Sequence, residues 1–457
     1  MQNDREQYSG PELYSERDLS SDRNRYTAGE QYREESPGEN DRGEKSSAPR
    51  RRRRRGIAKK AGIFAMGVAA GMVFLLAASQ LLPIQIGASQ SLYGKAGVSK
   101  TSDSAVNEES IGKLRLLEQC IKSYYYQPDD VKQETLEDGM YKGIMDSLGD
   151  PYTVYCTEEE YNDLTQDTSG VYFGIGAYIS LDNSTNAPMF TGIMPGTPAE
   201  TAGLKVGDII SEVEGTDTLS KTTEEVAKLV KGPKGTSVSI KVIRSGESLT
   251  FSVTRDQITV PTVTSEMLSD GIGYLKISLF SDVTTAQFDE NFAKLKKDGM
   301  TSMIIDLRSN PGGTVTSVTQ IASELLPEGL IFYMEDKDGR REEYKCPGAD
   351  FDLPLVVLVN EYSASASEIL SGAIQDAGIG KLVGTKTYGK GIVQNLYPLG
   401  DGTGIKITIA GYYTRNGRNI HKTGIEPDYT VELDREKYEK DETDTQLEKA
   451  KELLLQK

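Results

Sequence analysis

The sequence predicts an α/β core with an inserted, mainly β domain, preceded by an N-terminal helical region and one transmembrane helix. After Thr259, apolar strand-like segments alternate with helical segments, a pattern typical of parallel strands covered by helices. Between 170 and 257, short alternating strands, such as the one predicted over 171–179, are separated by glycine turns. An uncharged apolar stretch from 61 to about 86 is long enough to cross a bilayer as a helix.

Composition excludes several classes of function. The chain has 457 residues and a formal net charge of -17, which repels phosphate backbones, so we expect no nucleic acid partner. Its three cysteines are widely spaced and fit neither a disulfide framework nor a zinc site, so we interpret them as packing residues. The single histidine, His421, rules out a histidine-based metal cluster and leaves one candidate base for a Ser/His/Asp triad. We expect neither a metal nor a cofactor.

The sequence of the first 86 residues predicts a polar tail followed by a membrane anchor. Residues 1–55 are polar, contain almost no aliphatic side chains and end in the arginine run 50–55, so we expect a disordered cytoplasmic tail. Residues 56–86 form the predicted anchor, and the arginines on its N-terminal side place the rest of the chain outside the cell. A cleaved signal peptide is the alternative, because the small residues 87–89 could tolerate processing, but the long tail and long apolar span favour a retained anchor.

Amphipathic helices flank the predicted domains. Residues 87–106 read as a Ser- and Gly-rich linker. Residues 107–167 read as an N-terminal helical region, whose two amphipathic helices end near Asp150 and Pro151. Residues 434–457 read as a charged C-terminal helix. Such helices can support a homodimer or pack within one chain, and the sequence does not decide between the two.

The segment 168–258 carries a peptide-binding pattern. Its residues 172–177 read YFGIGA, so Gly174 and Gly176 stand where a backbone can approach a ligand and free N–H groups can hold an anion. Taken alone, these glycines could equally turn a β-sandwich. The following segment 193–210 and the single helix 222–230 strengthen the pattern, and together they resemble a PDZ domain.

The PDZ resemblance implies a binding mode. An extended peptide with a free C-terminus would add as a strand beside the helix, and the N–H groups of Ile175, Gly176 and Ala177 would cap its carboxylate. Ala177 stands where many PDZ domains carry a large apolar residue, which affects the depth of the side-chain pocket.

Residues 259–433 read as the α/β core. The predicted strands and helices alternate in the order 272–280 strand, 284–297 helix, 303–307 strand, 315–326 helix, 353–360 strand and 365–375 helix.

A candidate nucleophile opens the last of these helices. Ser365 follows a buried-type strand, has capping-box spacing to Glu368, and would sit among unpaired N–H groups at the positive end of a helix dipole. Such a position stabilises an alkoxide and an oxyanion. On this motif alone Ser365 could equally be a simple N-cap, and Ser363 and Ser367 are rival nucleophiles.

Two residues compete as the general base. His421 lies in the polar, glycine-bounded segment 418–424, which we expect to be exposed. Lys390 lies between glycines in the segment 387–394, among aromatic and aliphatic residues. A lysine can act as a base only if burial or a nearby cation lowers its pKa well below about 10.4.

Three motifs, in order, resemble the C-terminal processing peptidases, tail-specific serine proteases with a Ser/Lys dyad. The motifs are DLRSNPGG at 306–313, SASASE at 363–368 and YGKGIVQ at 388–394, and the resemblance covers about 108 to 430. It implies a crotonase-like core, with Ser365 as nucleophile, Lys390 as base and Gln394 orienting the lysine. The resemblance also implies an oxyanion hole made by the backbone N–H groups near Gly312, Gly313 and Ala366.

We therefore expect a membrane-anchored serine endopeptidase that recognises the C-terminal tails of extracytoplasmic proteins through its PDZ domain. Two alternatives remain at this point: a catalytically inactive, membrane-tethered PDZ scaffold, and a PDZ-bearing serine protease that depends on His421.

Overall fold

The computed structural model describes residues 104–456. The N-terminal region contains two helices, α1 (Glu108–Tyr124) and α2 (Gln133–Asp146), joined by the 3-10 turn Pro128–Asp130. None of the side chains of these two helices is buried. A short strand, β1 (Val154–Cys156), and a third helix, α3 (Glu158–Ser169), lead into the next domain.

The predicted tail 1–55, the anchor 56–86 and most of the linker 87–106 lie outside the described residues. Within 104–456 no helix is both long enough and apolar enough to cross a bilayer. The longest of the described N-terminal helices, α1, begins with two glutamates and carries a lysine in its last turn. The predicted localisation, a single-pass protein of the cell membrane with an extracytoplasmic catalytic domain, is corrected on this finding.

The inserted domain is mainly β. Its elements are β2 (Val171–Gly174), β3 (Ala177–Leu181), β4 (Pro188–Ile193), α4 (Pro198–Ala202), β5 (Ile209–Val213), β6 (Thr216–Asp217), α5 (Thr223–Val230), β7 (Ser237–Arg244), β8 (Glu247–Thr254) and β9 (Asp256–Thr259). The main sheet has the strand order β3-β4-β5-β7-β8, with β6 on β5, while β2 pairs separately with β9. Ile210 and Val213 of β5 and the alternating apolar residues of β7 pack with Phe190 and with Val226 of α5 in the core of this domain.

The predicted continuous strand from 171 to 179 is wrong. Gly176 has φ +82°, and Ile175 turns its side chain into the core of the domain. Because only glycine adopts this backbone readily, the chain breaks here into β2 and β3, which belong to different sheets.

The α/β core contains a six-stranded sheet. Its strands follow the order β10 (Val263–Met267), β11 (Ile272–Ile277), β12 (Ser302–Asp306), β15 (Leu355–Val359), β16 (Gly380–Gly384) and β19 (Tyr429–Thr430). Only β10 runs antiparallel, and the remaining neighbours are parallel. Both β12 and β15 are buried along their whole length, as continuous apolar runs predict for a sheet covered on both faces.

Helices cover the two faces of this sheet. One face packs against α6 (Thr284–Lys297), α7 (Val315–Ser323) and α8 (Ala366–Ala377) through residues such as Ile305 and Val357. The opposite face, which carries Ile304 and Val356, packs against the C-terminal helix α10 (Thr445–Leu455). The alternation of adjacent strand residues between the two clusters follows from the two-residue period of a strand.

A second sheet completes the core. Its order is β1-β18-β13-β14, with β17 also on β18, and the strands are β13 (Gly329–Asp336), β14 (Arg341–Cys346), β17 (Ile392–Pro398) and β18 (Gly404–Thr414). Strand β1, which precedes the inserted domain, pairs antiparallel with β18. The N-terminal region is therefore built into the core sheet.

The single C-terminal helix predicted over 434–457 is two helices, α9 (Arg435–Asp441) and α10. Glu442 adopts a left-handed conformation that ends α9, and the Asp444 carboxylate caps α10 by accepting from the N–H groups of Gln446 and Leu447. Asp444 also binds Arg308, which pairs with the buried Asp306, so α10 is attached to the loop after β12.

Candidate active site

The loops after the parallel strands β12 and β15 meet at the carboxyl edge of the sheet, where open α/β sheets place their sites. Gly312 comes from the first loop, and Ser365 comes from the second and precedes α8. A Cβ on Gly312 would lie 2.7 Å from the Ser365 Cβ and 2.9 Å from the Ala366 nitrogen, and the φ of Gly312 is +109°. Only glycine allows this approach, so the sequence motif with paired glycines serves to bring the two loops into contact.

Ser365 has an unusual backbone conformation, with φ 54° and ψ -114°. For a residue with a side chain this region is strained, and such strain is found where the surrounding structure holds it. The Ser365 carbonyl accepts from the Tyr412 hydroxyl at 3.1 Å and from the Ile369 N–H at 2.9 Å. The side chain is nearly buried, with 9% of the residue exposed.

The two rival serines make structural hydrogen bonds. The Ser363 hydroxyl donates to the Leu307 carbonyl at 2.8 Å, and the Ser367 hydroxyl donates to the Asn310 carbonyl at 2.9 Å. Both bonds attach the loop after β15 to the loop after β12. These geometries favour Ser365 over its neighbours as the serine that faces the site.

Of the three predicted oxyanion donors, one is already engaged. The Gly312 N–H donates to Asn310 Oδ1 at 2.8 Å. The N–H groups of Gly313 and Ala366 donate to no other residue of the described chain. Ala366 is the first residue of α8, where N–H groups lack helical partners and the helix dipole favours negative charge.

Lys390 is buried, with 5% of the residue exposed. Its amine lies 4.7 Å from the centre of the Tyr152 ring, a cation–π distance. Burial, followed by the charge of nearby Lys406, lowers the pKa of Lys390 to about 7, and the carboxylates of Glu368 and Asp150 act in the opposite direction. A substantial fraction of this lysine is therefore neutral near pH 7.

One carboxylate joins the serine and lysine segments. Glu368 Oε2 accepts from the backbone N–H groups of both Ser365 and Lys390, each at 2.9 Å. Oε1 accepts from the Thr387 hydroxyl at 2.6 Å and from the Gly389 N–H at 2.7 Å. From the sequence, Glu368 was identified only as the third residue of a capping box. A charged residue in a helix whose residues 366–374 are all buried was the signal that could have revealed this second function.

Gln394 lies on β17 opposite Thr408 of β18 and is 1% exposed. Its Nε2 donates to Thr408 Oγ1 at 3.1 Å, and its Oε1 is buried without a hydrogen-bond partner in the described chain. Thr408 Oγ1 in turn donates to Asp150 Oδ2 at 2.6 Å. From the sequence, Asp150 was predicted only to end a helical region, and Thr408 and Tyr152 were not predicted at the site, because nothing local links these residues to Lys390.

The expectation that His421 is exposed is wrong. A Cβ on Gly391 would lie 2.6 Å from the backbone nitrogen of His421, so the absence of a side chain at Gly391 lets the loop that contains His421 pack against the segment that contains Lys390. His421 is half-buried, its Nδ1 is buried without a partner in the described chain, and burial lowers its pKa.

The four predicted peptide-binding residues lie at the junction of β2 and β3: Gly174 ends β2, Ile175 and Gly176 form the connection, and Ala177 begins β3. A Cβ on Gly176 would overlap the Thr197 side chain, and the Ile175 carbonyl accepts from the Ala199 N–H at 2.8 Å. Burial raises the pKa of the Tyr172 phenol to about 12. Strand β3, which begins at Ala177, lies at the edge of its sheet beside α5, so one side of it is open to a further strand.

The inserted domain and the core enclose a cleft of about 1280 Å³. Its lining includes Phe173 and Lys231 from the inserted domain and Lys406 from the core, but neither Ser365 nor Lys390. Ion pairs between α5 and α3 border it, with Lys228 2.6 Å from Glu159.

Comparison with known proteins identifies the class of this chain. Residues 271–431 match the model of peptidase family S41, 189–244 match a PDZ domain, and 68–160 match the N-terminal domain of the activating protease CtpB. The chain is 38% identical over 296 residues to the carboxyl-terminal-processing protease of Synechocystis sp., covering 63% of this chain and 69% of that protein. It is 34% identical over 343 residues to the carboxy-terminal processing protease CtpA of Bacillus subtilis, covering 74% and 73%.

A solved photosystem II D1 C-terminal processing protease is also similar, with 28% identity and a TM-score of 0.42, covering 70% of this chain and 92% of that one. On the two sequence relatives, the chain belongs to the carboxyl-terminal processing proteases of peptidase family S41. It is accordingly a serine-type peptidase with a PDZ domain, and the resemblance inferred from its motifs is confirmed. The alternative of an inactive scaffold is not favoured.

Replacing Glu368 by Gln is expected to lower both stability and activity. Each carboxylate oxygen of Glu368 accepts two hydrogen bonds. In either orientation of the glutamine side chain, its amide nitrogen, which is itself a donor, would therefore face two buried donors. We expect the free energy of unfolding, measured by chemical denaturation, to fall by about 3 kcal/mol. Glu361→Gln is the matched control, since Glu361 accepts from the Thr385 hydroxyl on the exposed surface. Equal stability of the two variants would contradict this assignment.

Proposed function

We propose that this protease hydrolyses peptide bonds with Ser365 as nucleophile and neutral Lys390 as general base, after its PDZ domain has bound the C-terminal tail of a protein substrate. The observation that carries the proposal is the Glu368 carboxylate, which accepts from the backbone of both residues beside a lysine whose pKa is about 7. A base with a pKa near the working pH is well matched to general-base catalysis.

In the proposed mechanism, the Lys390 amine takes the proton of the Ser365 hydroxyl as its oxygen attacks the peptide carbonyl. The resulting lysine ammonium donates this proton to the leaving amine, and an acyl-enzyme remains. Water then attacks the ester while the neutral Lys390 amine takes one of its protons. The resulting ammonium returns this proton to the Ser365 oxygen as the bond between that oxygen and the acyl carbon breaks, and the acyl group leaves as a carboxylic acid that ionises in solvent.

The oxyanion would be held by the N–H groups of Gly313 and Ala366, which have no other acceptor in the described chain. Each such donor contributes about 3 kcal/mol to transition-state stabilisation in other proteases. Gly312 supports this arrangement as the point of close contact with Ser365, because its own N–H is engaged by Asn310.

The PDZ domain would receive the substrate's C-terminus at the loop that contains Gly174, Ile175, Gly176 and Ala177. Two features support this step: the free edge of β3 beside α5, and glycines that allow the backbone N–H groups to point at a carboxylate.

Substitution of the two proposed catalytic residues tests the reaction. With an unstructured polypeptide as substrate, we expect Ser365→Ala and Lys390→Ala each to lower kcat at least about a thousandfold, as loss of one member of a catalytic unit does. Lys386→Ala is the control, because this lysine is half-exposed and pairs with Glu426. His421→Ala is expected to retain most of the activity. Full turnover by Lys390→Ala, together with inactivity of His421→Ala, would identify the histidine as the base.

The activity is expected to depend on pH through Lys390. Below its pKa the lysine is an ammonium and cannot accept the serine proton, so kcat/KM should fall as the pH decreases through about 7. The measurement is a profile of kcat/KM from about pH 5 to 9. An activity that stays constant down to pH 5 would be incompatible with a lysine base.

Recognition of a free C-terminus is tested with peptides. The full-length Ser365→Ala variant prevents cleavage during the measurement, and binding is followed by fluorescence anisotropy of a labelled peptide. Because the proposed site holds a carboxylate by N–H groups, amidation of the peptide C-terminus should weaken binding about tenfold or more. Equal affinity for the acid and the amide would argue against capture of the C-terminus.

A further inference from the structure

A chain of hydrogen bonds connects the segment before the PDZ domain to Gln394, the residue that the family resemblance assigns to orienting the lysine. Asp150 Oδ2 accepts from the Thr408 hydroxyl at 2.6 Å and from the Thr153 hydroxyl at 2.7 Å, and Oδ1 accepts from the Tyr152 N–H at 3.0 Å. The Thr408 oxygen accepts from Gln394 Nε2 at 3.1 Å. Asp150 and Thr408 are 258 positions apart in the chain, so only the folded structure brings them together.

The direction of each hydrogen bond in this chain is determined. An ionised carboxylate can only accept, so the single hydroxyl proton of Thr408 must point at Asp150. The Thr408 oxygen then has only lone pairs to offer to Gln394, and the glutamine must turn its NH₂ group toward it. The carbonyl oxygen of Gln394 is consequently the atom turned away from Thr408, where it is buried and has no partner in the described chain.

Asp150 is ionised in this environment. Burial opposes its ionisation, but the hydrogen bonds from Thr408, Thr153 and the Tyr152 backbone outweigh that effect and lower its pKa. The same short segment also contributes to the lysine pocket, since the Tyr152 ring lies 4.7 Å from the Lys390 amine and its hydroxyl lies 3.3 Å from the Tyr388 hydroxyl.

We propose that Asp150 and Thr408 are positioning residues for the peptidase reaction, which fix the amide of Gln394 so that its buried Oε1 accepts from the Lys390 ammonium formed during catalysis. The inference rests on the proposed function of Lys390. It assigns part of the catalytic apparatus to the N-terminal region, whose segment 150–153 precedes the PDZ domain and packs beside β18.

Substitution of Thr408 tests the proposal more sharply than substitution of Asp150, because it leaves the charge of the site unchanged. In the full-length protein, Thr408→Val removes the hydroxyl at nearly constant volume, so the Gln394 amide is free to rotate. We expect kcat to fall about tenfold with little change in KM, the effect of one lost transition-state hydrogen bond. Thr408→Ser retains the hydroxyl and should restore kcat to near the wild-type value. Wild-type kcat in Thr408→Val would overturn the proposal.

A double substitution tests whether the effect passes through Gln394. If it does, Thr408→Val in a Gln394→Ala background should cause no further loss of kcat, because the oriented group is already absent. A full additional tenfold loss would show that Thr408 acts by another route and would overturn the relay.

The charge of Asp150 provides an independent readout from the pH profile. The ionisable groups that face Lys390 are Lys406, Glu368 and Asp150, with His421 near Asp150. The Tyr152 ring lies beside the amine, and the Tyr388 hydroxyl lies 3.3 Å from the Tyr152 hydroxyl. Asp150 favours the charged lysine, so Asp150→Asn should lower the lysine pKa and move the acid limb of the kcat/KM profile to lower pH. Thr408→Val should leave that limb in place. A limb that does not move in Asp150→Asn would contradict the proximity of this charge.

Two controls separate this proposal from its premise. Asp401→Asn alters a carboxylate that also accepts from a threonine, Thr403, but in an exposed turn, so it should leave kcat and the pH profile unchanged. Lys390→Ala tests the premise itself. If Lys390→Ala is inactive and Thr408→Val retains wild-type kcat, the relay alone is overturned, whereas an active Lys390→Ala would remove the proposed base.

Discussion

The site depends on a single buried carboxylate. Glu368 is fully buried in the first turn of α8 and accepts four hydrogen bonds from Ser365, Lys390, Gly389 and Thr387. Two of these donors are the backbone N–H groups of the residues whose side chains we assign to the chemistry. A buried charge is tolerated only when its lone pairs are satisfied, so the same bonds that stabilise Glu368 determine where the segment 387–390, which follows β16, lies against the serine.

Burial shifts the pKa values of the two neighbouring groups Glu368 and Lys390 in opposite directions. Burial raises the pKa of Glu368 and lowers that of Lys390, while the charge of Glu368 favours the charged lysine. The hydrogen bonds to Glu368 come from neutral donors, so the carboxylate is satisfied without a salt bridge to the lysine amine. Lys406, also buried, adds a second positive charge that shifts the balance at Lys390 toward the neutral amine. The pKa of Lys390 is thus held near 7, because burial and the like charge of Lys406 lower it while the carboxylates of Glu368 and Asp150 raise it.

Periodicity and motifs in the sequence were sufficient for the local parts of this structure. The α6 helix was predicted with its observed bounds, Thr284–Lys297, and β12 and β15 appear where continuous apolar runs indicated buried strands. The paired glycines after β12 were recognised, but the engagement of the Gly312 N–H by Asn310 depends on a turn that no pattern encodes. The break between β2 and β3 was missed because Ile175 reads as a strand residue although it packs into the core as part of a loop. Likewise, the network of Asp150 joins residues too far apart in sequence for spacing to reveal it.

The position of the PDZ domain in the chain has a structural consequence. The segment 150–153 forms one wall of the lysine pocket, and β1 and α3 then lead directly into the PDZ domain. Ion pairs from Lys228 and Lys231 of the PDZ domain return to Glu159 and Asp163 of α3. Since β1 is paired with β18, which carries Thr408, the connection into the PDZ domain starts from the same sheet that holds Gln394. The segment from Asp150 to the end of α3 therefore contacts the proposed base, Lys390, at its start and leads into the PDZ domain at its end. Residues on both sides of the PDZ insertion are needed to complete the lysine pocket.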